Sequence, residues 1–136
     1  MTHPFLQMLT VGLGGFFGAI ARFALTGMAR RWLPSFPPIG TLLVNVLGCL
    51  LIGILMAWVE DIPRTSGRQP LPDVVRMMLV TGMLGSLTTF STFGFEAVEL
   101  MRESRWPLAF AYVAGNLCIG FGAVVCGRLL ACRIWG

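Results

Sequence analysis

The chain has 136 residues, of which 56% are hydrophobic and 12% are charged. A soluble domain of this length needs far more polar surface, so the composition predicts an integral membrane protein. The net charge of +4 does not indicate nucleic-acid binding, because the arginines lie in short loops beside apolar segments and form no basic stripe. The four cysteines include no CxxC pair and the only histidine is His3, which argues against a zinc site or a disulfide framework.

Four stretches of the chain are apolar enough to cross a bilayer as helices, which requires about 20 residues each. The predicted spans cover residues 5–28, 39–59, 75–101 and 106–131 of a single transmembrane domain, residues 1–136. All four tryptophans lie at or near span ends, where an amphipathic indole ring is stable at the membrane interface. The N-terminus lacks a basic region and a cleavage signal, so we expect the first span to be retained. Prolines interrupt the first two loops: Pro34, Pro37, Pro38, Pro63, Pro70 and Pro72.

All ten basic residues are arginines, and the nine other than Arg22 are distributed almost evenly between the two sides of the predicted domain. Five lie on the side of the N-terminus, the second loop and the C-terminus: Arg64, Arg68, Arg76, Arg128 and Arg133. Four lie in the first and third loops: Arg30, Arg31, Arg102 and Arg105. Because the positive-inside rule gives such a chain almost no preferred orientation, we expect dual topology and an antiparallel homodimer. A fixed topology set by the weak bias is the alternative.

The first span combines small residues with a charge. Gly14 and Gly18 form a GxxxG pair, a spacing that lets two helices approach closely. Arg22 lies inside the span, where a charge costs roughly 2.5–3.5 kcal/mol on insertion scales. Two interpretations of Arg22 remain open. Its side chain either snorkels towards the loop or pairs structurally, or it forms a vestibule that attracts anions.

The second and fourth spans each carry two polar side chains on one helix face. Thr41 and Asn45 lie four residues apart in the second span, and Tyr112 and Asn116 have the same spacing in the fourth. Residues four apart are neighbours on a helix surface. Hydrogen bonding between helices and the lining of a pore both explain such pairs.

The third span is a poor candidate for an uninterrupted helix. Three glycines lie between residues 82 and 94, and five of the seven residues 86–92 carry hydroxyl groups. Irregular backbone at membrane depth is stable only where protein or a water-filled cavity satisfies it, and carbonyls at such a break can bind a cation. We therefore expect this helix to be broken near its middle. Phe90 and Phe93 would then share a face, with Ser91 and Thr92 beside them and Glu96 one turn further on.

The spans together offer many hydrogen-bond donors and few internal acids. The edge of a phenylalanine ring adds further positive character. Such a lining suits a small anion better than a cation, whose pathway usually places Asp or Glu at mid-membrane. The donors are Arg22, Asn45, Ser91, Thr92 and Tyr112.

Three ordered motifs resemble the Fluc (CrcB) family of fluoride channels, and the resemblance covers all four spans. Residues 14–23, GGFFGAIARF, are similar to the GGxxGAxxR(Y/F) opening of that family. Residues 40–48, GTLLVNVLG, are similar to its GTLxVNxxG, and residues 88–96, TTFSTFGFE, to its TTFSTFxxE. Three positions depart from the common pattern: Ser86 replaces a glycine, Gly94 a hydroxyl residue and Asn116 a serine.

The resemblance implies an all-α membrane protein that forms an antiparallel, dual-topology homodimer with two pores. It implies a channel, not an enzyme, in the inner membrane of a bacterial cell. Fluoride would leave the cytoplasm passively down its electrochemical gradient, which lowers intracellular fluoride and gives fluoride resistance. The implied partners are fluoride, the lipid bilayer and a second copy of the chain, with no nucleic acid and no other protein.

The resemblance also implies a role for individual residues. Asn45 would donate its amide to the ion, and Phe90 and Phe93 would present ring edges that come from different subunits. The carbonyl groups of Gly85 and Thr88 would hold a structural sodium ion, Na+, that is not transported. The remaining pore residues would be Ser91, Thr92, Tyr112 and, in a vestibule, Arg22. Further candidates beside the pore are Thr41, Glu96 and Asn116.

Two other functions are alternatives. A small multidrug exporter is also a four-helix dimer with dual topology, but it relies on an acid in its first span, where this chain carries Arg22. A non-transporting membrane assembly subunit would show packing residues without the hydroxyl-rich break of residues 85–93. An enzyme is the poorest explanation, because the sequence shows no nucleophile with a matching base and no metal-ligand spacing.

Overall fold

The computed structural model describes residues 3–36, 38–62, 67, 69 and 71–136. Four long helices contain most of these residues: α1 (Pro4–Trp32), α2 (Ile39–Asp61), α3 (Asp73–Arg102) and α4 (Trp106–Trp135). Each is long and apolar enough to cross a membrane. The predicted all-α architecture with four transmembrane helices is therefore confirmed. Five residues used in the loop predictions lie outside the described residues: Pro37, Pro63, Arg64, Arg68 and Pro70.

Local sequence explains where several helices begin and end. Pro4 and Pro107 occupy the first turns of α1 and α4, where a missing N–H leaves no helical hydrogen bond unmade. α1 ends at Trp32, two residues before Pro34, because the residue that precedes a proline is disfavoured in helical conformation. The short turn between α3 and α4 contains Ser104 at a φ of 59°, a left-handed conformation that is uncommon outside glycine.

Glycines set the closest contacts between helices. α1 packs against the first half of α3, and α2 packs against α4. A Cβ atom on Gly14 or Gly18 would collide with backbone carbonyl groups of α3, and one on Gly53 or Gly127 would collide with the backbone of α4 or α2. The GxxxG pair of the first span thus lies in the contact between α1 and α3, where small residues allow backbones to approach.

The third helix is irregular over half of its length. An α-helical turn at Asp73–Arg76 is followed by the π-helical segment Met77–Leu84 and by the short helix Gly85–Leu87. Thr88 and Thr89 are extended, with ψ angles of 155° and 113°. The second half of α3, Phe90–Arg102, begins immediately after them. The predicted break near the middle of the third span is confirmed, and it falls at Thr88 and Thr89.

Apolar side chains cover the outside of the subunit. Phe5, Phe16, Phe17 and Phe23 of α1 are all more than half exposed, as are many large side chains of α4. Such an extensive apolar surface requires lipid or another protein surface around it. The tryptophans lie in the last or first turns of the helices, as predicted from the membrane interface: Trp32, Trp58, Trp106 and Trp135.

Candidate ion pathway

A cavity of about 350 Å³ lies beside the break in α3. Its wall is formed by α2, both halves of α3 and α4. Six residues that the sequence singled out for the pathway or the cation lie in this wall: Asn45, Gly85, Thr88, Phe90, Phe93 and Asn116. Most of the remaining wall residues are apolar, and nothing in the sequence distinguishes them from ordinary packing residues: Cys49, Ile52, Val80, Leu84, Leu117, Gly120 and Phe121.

Asn45 of α2 pairs with the backbone of the break. The Thr89 N–H donates to Asn45 Oδ1 at 2.9 Å, and Asn45 Nδ2 donates to the Thr89 carbonyl at 3.4 Å. The side-chain amide thus satisfies both polar groups of an extended residue, as a neighbouring strand would. In an unbroken helix the Thr89 N–H would instead bond to the Gly85 carbonyl. The break therefore deprives that carbonyl of its usual helical donor.

The same amide connects the break to α4. Asn45 Nδ2 also donates to Asn116 Oδ1 at 3.1 Å, and Asn116 Nδ2 donates to the Tyr112 carbonyl at 3.1 Å. The predicted polar faces of the second and fourth spans therefore meet each other at the cavity. Both hydrogens of the Asn45 amide have protein acceptors in this arrangement.

The hydroxyl-rich segment organises the start of the second half of α3. Thr89 is the N-cap residue, and its Oγ1 accepts from the Thr92 N–H at 3.3 Å and donates to Thr92 Oγ1 at 3.0 Å. Ser91 Oγ lies 3.4 Å from Thr89 Oγ1. Ser91 and Thr92 are absent from the cavity wall, whereas Thr89 is part of it. Thr89 was not singled out from the sequence, although threonine directly before a helix is a favoured N-cap.

The two phenylalanines at the break lie side by side in very different surroundings. The centroids of the Phe90 and Phe93 rings are 5.6 Å apart. Phe93 is 8% exposed and packs against the Tyr112 ring at 5.5 Å, whereas Phe90 is 81% exposed on the single subunit. That the rings in one pore come from different subunits stays a prediction, and the exposed Phe90 ring is free to contact another subunit.

A second polar cluster lies beside the first along α3 and α4. The buried Tyr112 hydroxyl donates to Glu96 Oε2 at 2.7 Å, and Glu96 Oε1 lies 3.8 Å from Arg30 Nη2. Thr41 is 2% exposed and lies next to the same hydroxyl. None of these four residues lines the cavity. Tyr112 joins the two clusters, because its carbonyl accepts from Asn116 Nδ2 and its hydroxyl donates to Glu96.

Arg22 lies apart from both clusters. Its side chain on α1 is partly exposed, and it joins none of the ion pairs formed among residues 3–36, 38–62, 67, 69 and 71–136. No part of α1 lines the cavity beside the break. Its snorkelling role and its vestibule role both stay predictions.

Four helices cross the membrane, and the third is discontinuous beside a cavity whose wall contains hydrogen-bonded side chains. This arrangement defines a small multi-pass membrane protein with the broken-helix architecture of proteins that bind or transport ions. The family model described as CrcB-like protein, Camphor Resistance (CrcB), matches residues 9–128. The chain belongs to this CrcB family. The resemblance inferred from the three motifs is therefore confirmed.

Curated relatives match nearly the whole chain. A protein of Sulfurovum sp. named fluoride-specific ion channel FluC is 38% identical over 134 residues, which is 98% of this chain and 99% of the relative. The protein of that name from Nitratidesulfovibrio vulgaris is 40% identical over 122 residues, 89% of this chain and 93% of the relative. The one from Chloroflexus aurantiacus is 39% identical over 121 residues, 89% of this chain and 91% of the relative. The matches therefore extend well beyond the three motifs.

Proposed function

We propose that this protein is a fluoride-specific channel through which fluoride leaves the cytoplasm down its electrochemical gradient. The observation that carries the proposal is the alignment to relatives named fluoride-specific ion channels over 89–98% of the chain. Such an alignment spans the helices that form the cavity and the break. Passive export of this kind lowers intracellular fluoride and makes the cell resistant to it.

The chemistry of the cavity supports an anion as the permeating species. Fluoride is small and strongly hydrated, so it enters a region of low dielectric only where strong hydrogen-bond donors replace its water. Asn45 supplies an amide donor, and Phe90 and Phe93 supply ring edges of positive character. No acidic side chain is among the described residues of the wall. The neighbouring Glu96 is held by the Tyr112 hydroxyl and lies near the Arg30 guanidinium.

An antiparallel homodimer with dual topology is the assembly that fits this function. The even distribution of arginines removes a preferred orientation. The cavity wall includes Phe90, whose ring is 81% exposed on the single subunit. A second copy packed on this face would cover the ring and close the cavity. The exposed wall supports the dimer, because a pathway that is open to lipid along its side would place the ion and its polar ligands in contact with hydrocarbon.

A structural sodium ion at the break belongs to the same proposal. Gly85 and Thr88 lie in the cavity wall at the C-terminal end of the first half of α3. Carbonyl groups at the end of a broken helix are suitable ligands for Na+, and the Gly85 carbonyl has lost its helical donor to Asn45. The residues present therefore fit the ion. Bound there, sodium would supply positive charge and cross-link the two subunits without being transported.

Fluoride efflux from liposomes that contain the purified protein tests the channel. A fluoride electrode follows the release, and chloride-loaded liposomes are the control. Rapid passive fluoride efflux with negligible chloride flux is expected. A folded protein that passes no fluoride in the presence of sodium would contradict the proposal and favour an assembly subunit. Drug movement coupled to protons would favour the multidrug exporter.

Two further measurements test the assembly and the cation. A variant without Cys49, Cys118, Cys126 and Cys132 but with cysteine in place of Gly136 is labelled with a membrane-impermeant maleimide in intact and in opened cells. Labelling of about half of the protein in intact cells is expected from dual topology, and all-or-none labelling would contradict it. Replacing sodium by N-methylglucamine is expected to reduce fluoride flux, and unchanged flux after exhaustive exchange would remove sodium from the proposal.

A further inference from the structure

The side chain of Asn116 accepts a hydrogen bond from the Asn45 amide, and an anion in the cavity would need that same donor. Asn45 Nδ2 carries two hydrogens, and it donates to Asn116 Oδ1 at 3.1 Å and to the Thr89 carbonyl at 3.4 Å. Its Oδ1 accepts the Thr89 N–H at 2.9 Å. The Asn45 amide is thus fully engaged within the protein. An anion gains one of its hydrogens only when one of the two acceptors withdraws.

Asn116 is the acceptor that withdraws more easily. The Thr89 carbonyl belongs to a backbone segment that is fixed by the Asn45 bond and by the N-cap bond to Thr92. The Asn116 side chain is held otherwise by its bond to the Tyr112 carbonyl. That carbonyl lies four residues earlier in α4 and accepts the Asn116 backbone N–H as well. Rotation of the side chain therefore leaves no buried carbonyl without a donor.

Asn116 also has the chemistry of a substitute for the anion. Its Oδ1 carries a partial negative charge and faces the Asn45 N–H, and its residue lines the cavity and is partly exposed. A neutral oxygen satisfies the donor without the electrostatic repulsion that a carboxylate in the same place would exert on an approaching anion. Its strength as an acceptor is correspondingly moderate.

We propose that Asn116 is a positioning residue for Asn45: its Oδ1 holds the Asn45 N–H while the pathway is empty and rotates away when fluoride takes its place. The inference rests on the proposed function and deepens it, because it identifies Asn116 as the residue that determines the fluoride concentration at which the pathway fills. The competition between Oδ1 and the ion sets that concentration.

Flux measured against fluoride concentration tests the competition. Asn116→Ala removes the internal acceptor, so the half-saturating fluoride concentration is expected to fall roughly two- to tenfold, the equivalent of one hydrogen bond. Asn116→Asp places a charged acceptor on the same N–H, so the half-saturating concentration is expected to rise roughly tenfold or more. Leu129→Ala is the matched control, since Leu129 is exposed on α4 and lies outside the cavity wall. A half-saturating concentration that Asn116→Ala leaves unchanged or raises would overturn the inference.

The composition of the chain offers a direct spectroscopic readout. Asparagine occurs only at positions 45 and 116, so ¹⁵N-asparagine labelling gives two side-chain amide signals, and Asn116→Ala leaves one and assigns both. Fluoride is expected to shift both signals and to produce a ¹⁵N–¹⁹F coupling at Asn45, whereas chloride is not. A fluoride titration that shifts the Asn45 signal and leaves the Asn116 signal in place would overturn the inference.

The two readouts separate this inference from the proposed function. Absence of fluoride flux from the wild-type protein would overturn the function and this inference with it. Wild-type flux with a stationary Asn116 signal would overturn the inference alone. If Asn116→Ala does not fold, Asn116→Ser takes its place, and the same fall in half-saturating concentration is expected because the shorter side chain withdraws the acceptor from Asn45.

Discussion

The N–H of Thr89 donates to Oδ1 of Asn45 at 2.9 Å, and this bond joins α2 to the break in α3. Thr89 is 8% exposed, so its backbone polar groups have little access to water. An unpaired backbone N–H in such a place costs about 1–3 kcal/mol. The Asn45 amide therefore explains how an extended peptide is stable inside a membrane domain.

Substitutions of Asn45 separate this stabilising role from the binding of an ion. Asn45→Leu leaves the Thr89 N–H without an acceptor, so the free energy of unfolding is expected to fall by about 1–3 kcal/mol. Asn45→Asp keeps an acceptor for that N–H but removes both amide donors and adds a negative charge. We expect this variant to fold and its fluoride flux to fall at least about tenfold. Thermal unfolding in detergent and liposome efflux measure the two effects. A leucine variant as stable as the wild type would show that another group pairs with Thr89.

Replacing either phenylalanine at the break is expected to slow fluoride flux, but only the replacement of Phe93 is expected to destabilise the single subunit. Phe93 packs on Tyr112 and is 8% exposed, so Phe93→Ile is expected to lower the free energy of unfolding by about 1–3 kcal/mol. Phe90 is 81% exposed on the single subunit, so Phe90→Ile is expected to change the stability of the separated subunit by no more than about 0.5 kcal/mol and to act instead on the association of two copies. Both substitutions remove a ring edge from the cavity and are expected to slow fluoride flux sharply. Unchanged flux in either variant, measured on a protein that is still dimeric, would remove that ring from the pathway.

The sequence predicts those features of the fold that depend on local composition. The four helices follow from apolar stretches of sufficient length, and the break follows from the glycines and hydroxyl residues of the third span. The π-helical segment Met77–Leu84 was not predicted, because its residues would equally suit an α-helix.

The contacts of the site were less predictable than the residues that make them. Asn45 was identified as a candidate, but its partner Thr89 lies 44 residues away, and no local pattern indicates which backbone group an isolated asparagine will reach. Asn116 was predicted to share a polar face with Tyr112 and to lie beside the pore, but its bond to Asn45 spans 71 residues and was not predicted. The surroundings of Phe90 depend on a second subunit, which the sequence of one chain does not position.

The N-cap of the second half of α3 is a further source of stability. Thr89 Oγ1 accepts the Thr92 N–H at 3.3 Å, and Thr89→Val removes this acceptor while it keeps the shape of the side chain. We expect the free energy of unfolding to fall by about 1 kcal/mol, since replaced caps typically cost about 0.5–2 kcal/mol. Thr89→Ser keeps the hydroxyl and is the matched control, with stability close to that of the wild type. A loss of stability in Thr89→Ser with none in Thr89→Val would show that the methyl group, not the cap, stabilises the break.

The contact between α1 and α3 is expected to depend on the absence of a side chain at Gly14. A Cβ atom there would collide with the Met78 carbonyl oxygen, whereas one at Gly12 would meet nothing within 4 Å. Gly14→Val and Gly12→Val place the same side chain two residues apart on one helix. Gly14→Val is expected to lower the free energy of unfolding by about 1–3 kcal/mol through overpacking, and Gly12→Val to change it by about 0.5 kcal/mol or less.

Fluoride transport is expected to differ between Gly14→Val and Gly12→Val in the same direction as stability. Met78 belongs to the first half of α3, which ends at Leu87 directly before the break, so a displacement of this half by the valine at position 14 would move one wall of the cavity. We therefore expect fluoride efflux to fall in Gly14→Val and to persist in Gly12→Val. Comparable stability and flux in the two variants would mean that α1 and α3 separate without disturbing the break. The π-helical segment would then have to absorb the displacement, because it is the only element that lies between the contact at Gly14 and the start of Gly85–Leu87 within the described part of α3.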